Sequence, residues 1–500
     1  MPSTTQPPTA GRAALSRDDP TTESPAHQNS SRGDGISEKQ DSPSSIEAQS
    51  AAPVDYAPPP PPNGGYGWVC TACVSLVNAH TWGLNSSYGV FLAHYLANET
   101  FPGATHLEYA FVGSLSISCA LLVSPIATIC VRELGTKPTM FAGVIMESAS
   151  LICASFAHKI WHLFLTQGLL FGFGMGFLFT PSVGIVPQWF STKRSLANGF
   201  SACGSGLGGL LYSFASGAMI RSLGLGWAFR ILGILAFVVN TACIILIKDR
   251  NKIIGSSQLA FDTTLLKRPE FLLLLGFGWF SMLGYVVLIF SLANYANEIG
   301  LDASEAALIS AFFNLGQALG RPLVGYFSDR TGRINMSGFM TFLAGLFALV
   351  IWINAKVYGV LIFFAIICGG VAGTFWTTIG PVTAEVVGLR NVPSGLCLTW
   401  IIIAMPCLFS EPIALQIAQG TGSYLGTQLF TGLMYIVAAI CLIAVRGWKI
   451  GEVDENARTL NESPENIDRV KVENDEDLTR VGREAGRKRF MADCCRLERV

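Results

Sequence analysis

From Gly65 to Arg446 the chain alternates between long apolar stretches and short polar breaks, and twelve such stretches can be counted. Each approaches the ~20 apolar residues that carry an α-helix across a ~30 Å hydrocarbon layer. The pattern predicts helices at Trp68–Tyr95, Phe111–Cys130, Thr139–Ala157, Trp161–Val186, Ser195–Ile220 and Ala228–Ile247. After a polar, charged break from Lys248 to Glu270 it predicts six more, at Phe271–Ala293, Glu305–Phe327, Met336–Asn354, Val357–Val386, Pro393–Ile417 and Tyr424–Val445. The expectation is an all-α membrane protein with twelve transmembrane helices in two six-helix bundles, residues 65–250 and 271–446, joined by a cytosolic linker at 251–270. Residues 1–64 and 447–500 read as cytosolic tails, the first of them disordered.

Loop charge orients the spans. With the N-terminus inside, the inner loops hold twelve basic residues, among them Arg132, Lys137, Lys193, Arg194, Arg330 and Arg333, against four on the outer side, Lys159, Arg221, Arg230 and Lys356. Basic residues concentrate on the cytosolic side, so both termini are expected in the cytosol, with the plasma membrane as the site of residence. No apolar core of a cleavable signal lies within Met1–Asn63, so the first span must direct insertion. The proline run ending at Pro62 is either an adaptor ligand or a stiff spacer.

Composition narrows the function. Charged residues are 13% of the chain, against about 25% in soluble domains, and the mean hydropathy is +0.45. A net charge of −1 is not basic enough to suggest nucleic acid as a partner. The thirteen cysteines are mostly single residues in apolar stretches, and the Cys70/Cys73 pair has no second pair, so neither metal nor cofactor is implied. No soluble segment is long enough for a catalytic domain, and no nucleotide-binding loop is present. The chain does not read as an enzyme, and any transport it performs must draw on gradients. The expected partners are the lipid bilayer and a small-molecule substrate; no obligate protein partner is evident.

Four short motifs carry more. At the end of the eighth span stands Gly325-Tyr326-Phe327-Ser328-Asp329-Arg330-Thr331-Gly332-Arg333. Gly325 permits close helix approach, Asp329 can cap a neighbouring helix or pair with arginine, and Arg330 and Arg333 hold the loop inside. This resembles the cytosolic-loop signature of the major facilitator superfamily; the matching loop after the second span, Val131–Pro138, lacks the aspartate. Before the first span, Asn63-Gly64-Gly65-Tyr66-Gly67-Trp68 resembles the entry motif of the monocarboxylate-transporter family, with Asn63 in place of the usual acid. Trp189–Gly199 resembles that family's signature between spans four and five, and with Glu411-Pro412-Ile413-Ala414 the likeness is to its fungal branch. The resemblance implies the major facilitator fold, with a midplane site between two rocking halves.

The polar interruptions are the candidate site. Arg321 lies eight residues before Asp329, about 12 Å up the helix. A mid-membrane arginine costs at least ~2.5–3.5 kcal/mol and needs an anion, carbonyls or water. In the resembled family the matching Arg-Pro position binds the substrate carboxylate; the bland alternative is an arginine that bridges helices through carbonyls. That family's proton-coupled members also place an aspartate one turn earlier and a lysine in the first span. Here those positions are Gln317 and Ser86, which puts lactate-type proton symport in doubt. His80 and Glu147 are the remaining candidates for proton coupling, each with a packing role as its alternative. Asn78, Thr81, Trp82 and Asn85 share one helical face, which either lines a cavity or bonds neighbouring helices. Glu411 lies toward the outer end as a candidate gate, and Glu385 and Arg390 read as an inner pair. Asn98 heads a glycosylation sequon on the expected outer loop. Asn461-Glu462-Ser463 is cytosolic, and Cys494-Cys495 is either a palmitoylation site or a mobile tail.

The reading is a secondary active transporter of a small organic anion or carboxylate-bearing metabolite, working by alternating access. Its alternatives are an efflux pump for a secondary metabolite and a non-transporting sensor built on a transporter fold.

Overall fold

In the computed structural model, which describes residues 61–255 and 259–461, all regular structure is helical. Taken as continuous runs, the helices are α1 (66–97), α2 (106–134), α3 (Thr136–Ala154), α4 (Ile160–Trp189), α5 (Arg194–Leu223) and α6 (Leu225–Leu246). They continue as α7 (Pro269–Glu298), α8 (Ala303–Thr331), α9 (Arg333–Asn354), α10 (Tyr358–Val387), α11 (Val392–Thr421) and α12 (Leu425–Asn461). Seven of them, α4, α6, α7 and α9 to α12, are individually long and apolar enough to cross a membrane. An eighth candidate is α2, which bends by 40° at Val123. Pro125 explains the bend, because it cannot donate the backbone bond that would continue the helix. The remaining runs, α1, α3, α5 and α8, are diluted by serine, glycine, amide and charged residues. Three of these four supply most of the polar wall of the cavity described below.

Turns between neighbours are abrupt. Gly135, Gly224 and Gly332 each reverse the chain between two helices at φ of +96°, +83° and +101°, a region open to glycine at little strain. Helices α1 to α6 pack mainly on one another, as do α7 to α12, and the two sets meet chiefly along α5 against α8 and α2 against α11. Small residues set the closest approaches. A Cβ at Gly204 of α5 would overlap the Ser75 carbonyl of α1, and one at Gly325 of α8 would overlap the Ser195 carbonyl of α5. Gly204→Val is therefore expected to destabilise the protein by at least about 1–3 kcal/mol, the usual range for overpacking. A lowered thermal midpoint of the purified protein checks this, and an unchanged melt would contradict the packing.

Two sequence expectations change. The last helix does not stop at Val445 but runs to Asn461, so residues 447–461 continue it. Hydropathy marks where the apolar run ends, not where the helix does: a Lys449–Glu452 pair at 2.7 Å supports the extra turns. Glu385 does not pair with Arg390. It bonds Arg333 at 2.7 Å, because Gly388 at φ +81° ends α10 and Arg390 lies beyond it, exposed. Residues 1–60, Glu462, Ser463 and the Cys494-Cys495 pair lie outside the described residues.

Candidate functional site

Between the two sets of helices lies a cavity of about 50 Å³. One water needs roughly 10–15 Å³ by that measure, so the cavity has room for about four. Its wall draws on both sets. α1 gives Asn78, Trp82, Asn85 and Ser86; α5 gives Asn198, Ser201 and Ser205; α7, α8 and α10 give Tyr285, Arg321 and Trp376. The rest is mainly apolar, including Val74, Ile117, Phe179, Val183, Met282 and Ile379.

Arg321 is the centre of a polar knot. Only 4% of it is exposed, and it donates from Nη1 to the Ala202 carbonyl at 2.7 Å and to the Ser205 hydroxyl. From Nη2 it donates to Gln317 Oε1 and to the Tyr285 hydroxyl at 3.1 Å. Tyr285 in turn donates to Gln317 Oε1 at 2.8 Å. Every one of these partners is uncharged, and among the described residues Arg321 forms no ion pair. Its Nε is buried without a hydrogen-bond partner. Arg321 is thus held by α5 and α7 as well as by its own helix, which fixes the guanidinium at the cavity wall.

The α1 stripe is placed by a π-turn at Ala79–Gly83. Such wide turns often accompany functional sites. Here the turn is accommodated by glycine: a Cβ at Gly83 would come within 2.7 Å of Gly208 on α5. Asn78 donates to the Ser201 carbonyl at 2.9 Å and Asn85 to the Ser116 hydroxyl at 2.5 Å. A carbonyl can only accept, which fixes the Asn78 amide with Oδ1 on the other side, where it is buried and unpartnered. Ser86 bonds back to the Trp82 carbonyl at 2.9 Å, and the Trp82 indole N–H is also buried without a partner. Thr81, on the same expected face, bonds back to Val77 and is not among the cavity residues.

Other candidates lie elsewhere. Gln317 stands behind Arg321 rather than on the wall. His80 is 8% exposed, bonded to the Leu76 carbonyl at 2.8 Å and edge-on to Tyr212, outside the cavity. Glu147 is wholly buried between α3 and α6, accepting from Asn240 at 2.9 Å. Glu411 accepts the Ser291 hydroxyl at 3.0 and 2.9 Å, between α11 and α7 of the same set, so the candidate gate makes no hydrogen bond between the two sets. Asn98 is exposed at the end of α1.

The conformational candidates converge where α1 begins and α12 ends. Asp329 accepts from the backbone N–H of Ser195 at 3.0 Å and of Leu196 at 2.9 Å, so its carboxylate sits on the N-terminus of α5 across from its own helix. Arg333 bonds Glu385, the Ser191 carbonyl at 2.6 Å, and Asp329 at 3.5 Å. Arg330 lies over the Tyr326 ring at 4.3 Å. Asn63 accepts from the backbone N–H of Ser191 at 2.6 Å and of Thr192 at 3.0 Å, so the entry motif and the α4–α5 loop motif are joined. An amide oxygen suffices for that contact, which accounts for Asn63 where an acid is usual.

Sequence reasoning missed Tyr285, Ser205, Asn198 and Trp376. Two of them left a signal: Tyr285 is a tyrosine within the long apolar run of α7, and Trp376 sits in the polar break Thr374-Phe375-Trp376-Thr377-Thr378 of α10.

A family model described as Major Facilitator Superfamily matches residues 68–287 and 274–480. The "Probable transporter MCH2" of Saccharomyces cerevisiae is 33% identical over 397 residues, 78% of this chain and 84% of that protein. The "Uncharacterized transporter ESBP6" of the same yeast is 32% identical over 78% of this chain, an alignment that spans 60% of that protein's own length. The "Agnestins efflux protein AgnL12" of Paecilomyces divaricatus is 27% identical over 74% of this chain and 85% of that protein.

Proposed function

The chain belongs to the major facilitator superfamily and is a multi-pass membrane transporter of small molecules; from this premise we propose that its substrate is a small organic anion or carboxylate-bearing metabolite. One observation carries the reading. Arg321 is a buried cation on the cavity wall whose protein partners are all neutral. A charge removed from water is stabilised by an opposite charge in good hydrogen-bonding geometry, and although protein acceptors take four of the five guanidinium N–H groups, none of them neutralises the charge. The unpartnered Arg321 Nε adds a donor, and Asn78 Oδ1 offers an acceptor to a substrate hydroxyl or amine. Transport then proceeds by alternating access, with the helices of residues 65–250 and 271–446 rocking about the cavity as two bundles. Both termini lie in the cytosol, the membrane is the plasma membrane, and the driving force is a gradient.

Gln317 supplies a test of the anion. Gln317→Asp places a carboxylate against Arg321, where it competes with a substrate carboxylate while ionised and releases the guanidinium once protonated. Uptake of a carboxylate by proteoliposomes containing the variant is expected to fall at least about tenfold at neutral pH and to recover as pH drops. Flux that is the same in variant and wild type across that range would sink the reading.

A second reading, export of a secondary metabolite, is favoured by two observations: a relative whose name states efflux, and a cavity wall that is mainly apolar. A metabolite that accumulates inside deletion cells and is depleted from their medium would select it over uptake.

A further inference from the structure

Part of the cavity wall is aromatic. Trp82, Phe179 and Trp376 all line it, from α1, α4 and α10. Trp82 lies 4.9 Å from Trp376 and 5.1 Å from Phe179, centroid to centroid. Behind them Trp400 is wholly buried and stacks on Trp376 at 5.9 Å with planes 18° apart. Tyr285 links the two features: its hydroxyl accepts from Arg321 and its ring lies 6.3 Å from Trp376.

We propose that the carboxylate bound at Arg321 belongs to an aromatic acid, whose ring packs against Trp82 and Trp376. The proposal rests on the assignment of Arg321 as the carboxylate site. Two observations favour a ring over an aliphatic chain. Trp82 and Trp376 are only half-buried, so each keeps surface for a ligand, whereas Trp400 behind them holds Trp376 in place. The spacing between wall rings is already that of aromatic pairs, which prefer centroids 4.5–7 Å apart in tilted or offset arrangements.

The test uses a matched pair of probes, 3-phenylpropionate and 3-cyclohexylpropionate, titrated calorimetrically into the purified full-length protein in lipid nanodiscs. The two share a carboxylate and a carbon count and differ only in aromaticity. The wild type is expected to bind the phenyl acid about tenfold more tightly, the yield of roughly one to two aromatic contacts. Trp376→Leu is expected to erase that preference while Arg321-dependent binding of both acids persists, and Trp376→Phe, which keeps a ring, is expected to restore it. Equal affinity for the two acids in the wild type, with binding lost in Arg321→Gln, overturns the aromatic proposal and leaves the carboxylate reading standing. A preference that survives in Trp376→Leu and also in Trp82→Leu overturns it too. Binding of neither acid, or binding indifferent to Arg321→Gln, removes the carboxylate reading and this proposal with it. Should Trp376→Leu fail to fold, Trp82→Leu and Trp376→Phe carry the comparison.

Discussion

Arg321→Gln is expected to lower substrate flux in proteoliposomes at least about tenfold while the protein remains folded. The variant keeps a hydrogen-bonding side chain of similar reach but removes the charge. A hydrogen bond to a charged group contributes about 1.5–3 kcal/mol, so losing the one that the unpartnered Nε can make to a carboxylate corresponds to roughly a 10- to 100-fold loss of affinity. The fold should tolerate the change because no carboxylate of the protein is orphaned by it: the four partners, the Ala202 carbonyl, Ser205, Tyr285 and Gln317, are neutral, and Tyr285 still reaches Gln317. Arg321→Lys separates charge from geometry. It retains a cation but not the planar fork, so an intermediate flux is expected. If flux in Arg321→Gln stays within twofold of wild type, Arg321 is a structural bridge and the substrate is not read by its charge. If instead the variant loses its thermal transition, the bridging role dominates and binding must be tested through Ser205 and Tyr285.

What the sequence conveyed, and what it did not, follows from the range of each signal. Hydropathy is additive along a helix, so the order and number of helical runs could be read from apolar stretches, as could the polar stripe of Asn78, Trp82 and Asn85 that the structure places on one cavity. Arg321 stood out because a charge within an apolar run is costly wherever its partners lie. Partners are another matter. Nothing local to Ser205 or Trp376 says that they share a wall with Arg321, since that follows from how α5 and α10 cross α8. The Glu385–Arg390 expectation failed for the same reason: five residues apart in sequence, the two are separated by the Gly388 turn, while Arg333 reaches Glu385 from another helix. His80 and Glu147 illustrate the converse. Both are titratable and deep, yet the helix faces they occupy turn toward Tyr212 and Asn240 rather than the cavity.

Asp329→Ala is expected to shift the conformational equilibrium toward a state open at the end where α1 begins and α12 ends. The contacts that hold this end shut between the two sets of helices are few and specific. Asp329 accepts two backbone N–H groups at the start of α5, Arg333 reaches the Ser191 carbonyl, and Asn198 donates to the Thr377 carbonyl. The aspartate has no substitute, because the first N–H groups of a helix lack intrahelical partners and carry the positive end of its dipole. Two charge-assisted bonds at about 1.5–3 kcal/mol each amount to ~3–6 kcal/mol, and a change from 1:99 to 99:1 takes about 5.5 kcal/mol. Only the upper end of that range reaches a full reversal, so loss of this one carboxylate is expected to raise the open population substantially rather than to complete the switch. Spin labels at Lys193→Cys and Thr331→Cys, both exposed and one on each side of the contact, report the change as a longer inter-label distance. Asp329→Asn should give a smaller shift in the same direction, since an amide oxygen still accepts but brings no charge. A distance distribution unchanged in Asp329→Ala would mean that the Gly325–Ser195 backbone contact alone keeps this end closed, and Gly325→Val would then be the variant that opens it.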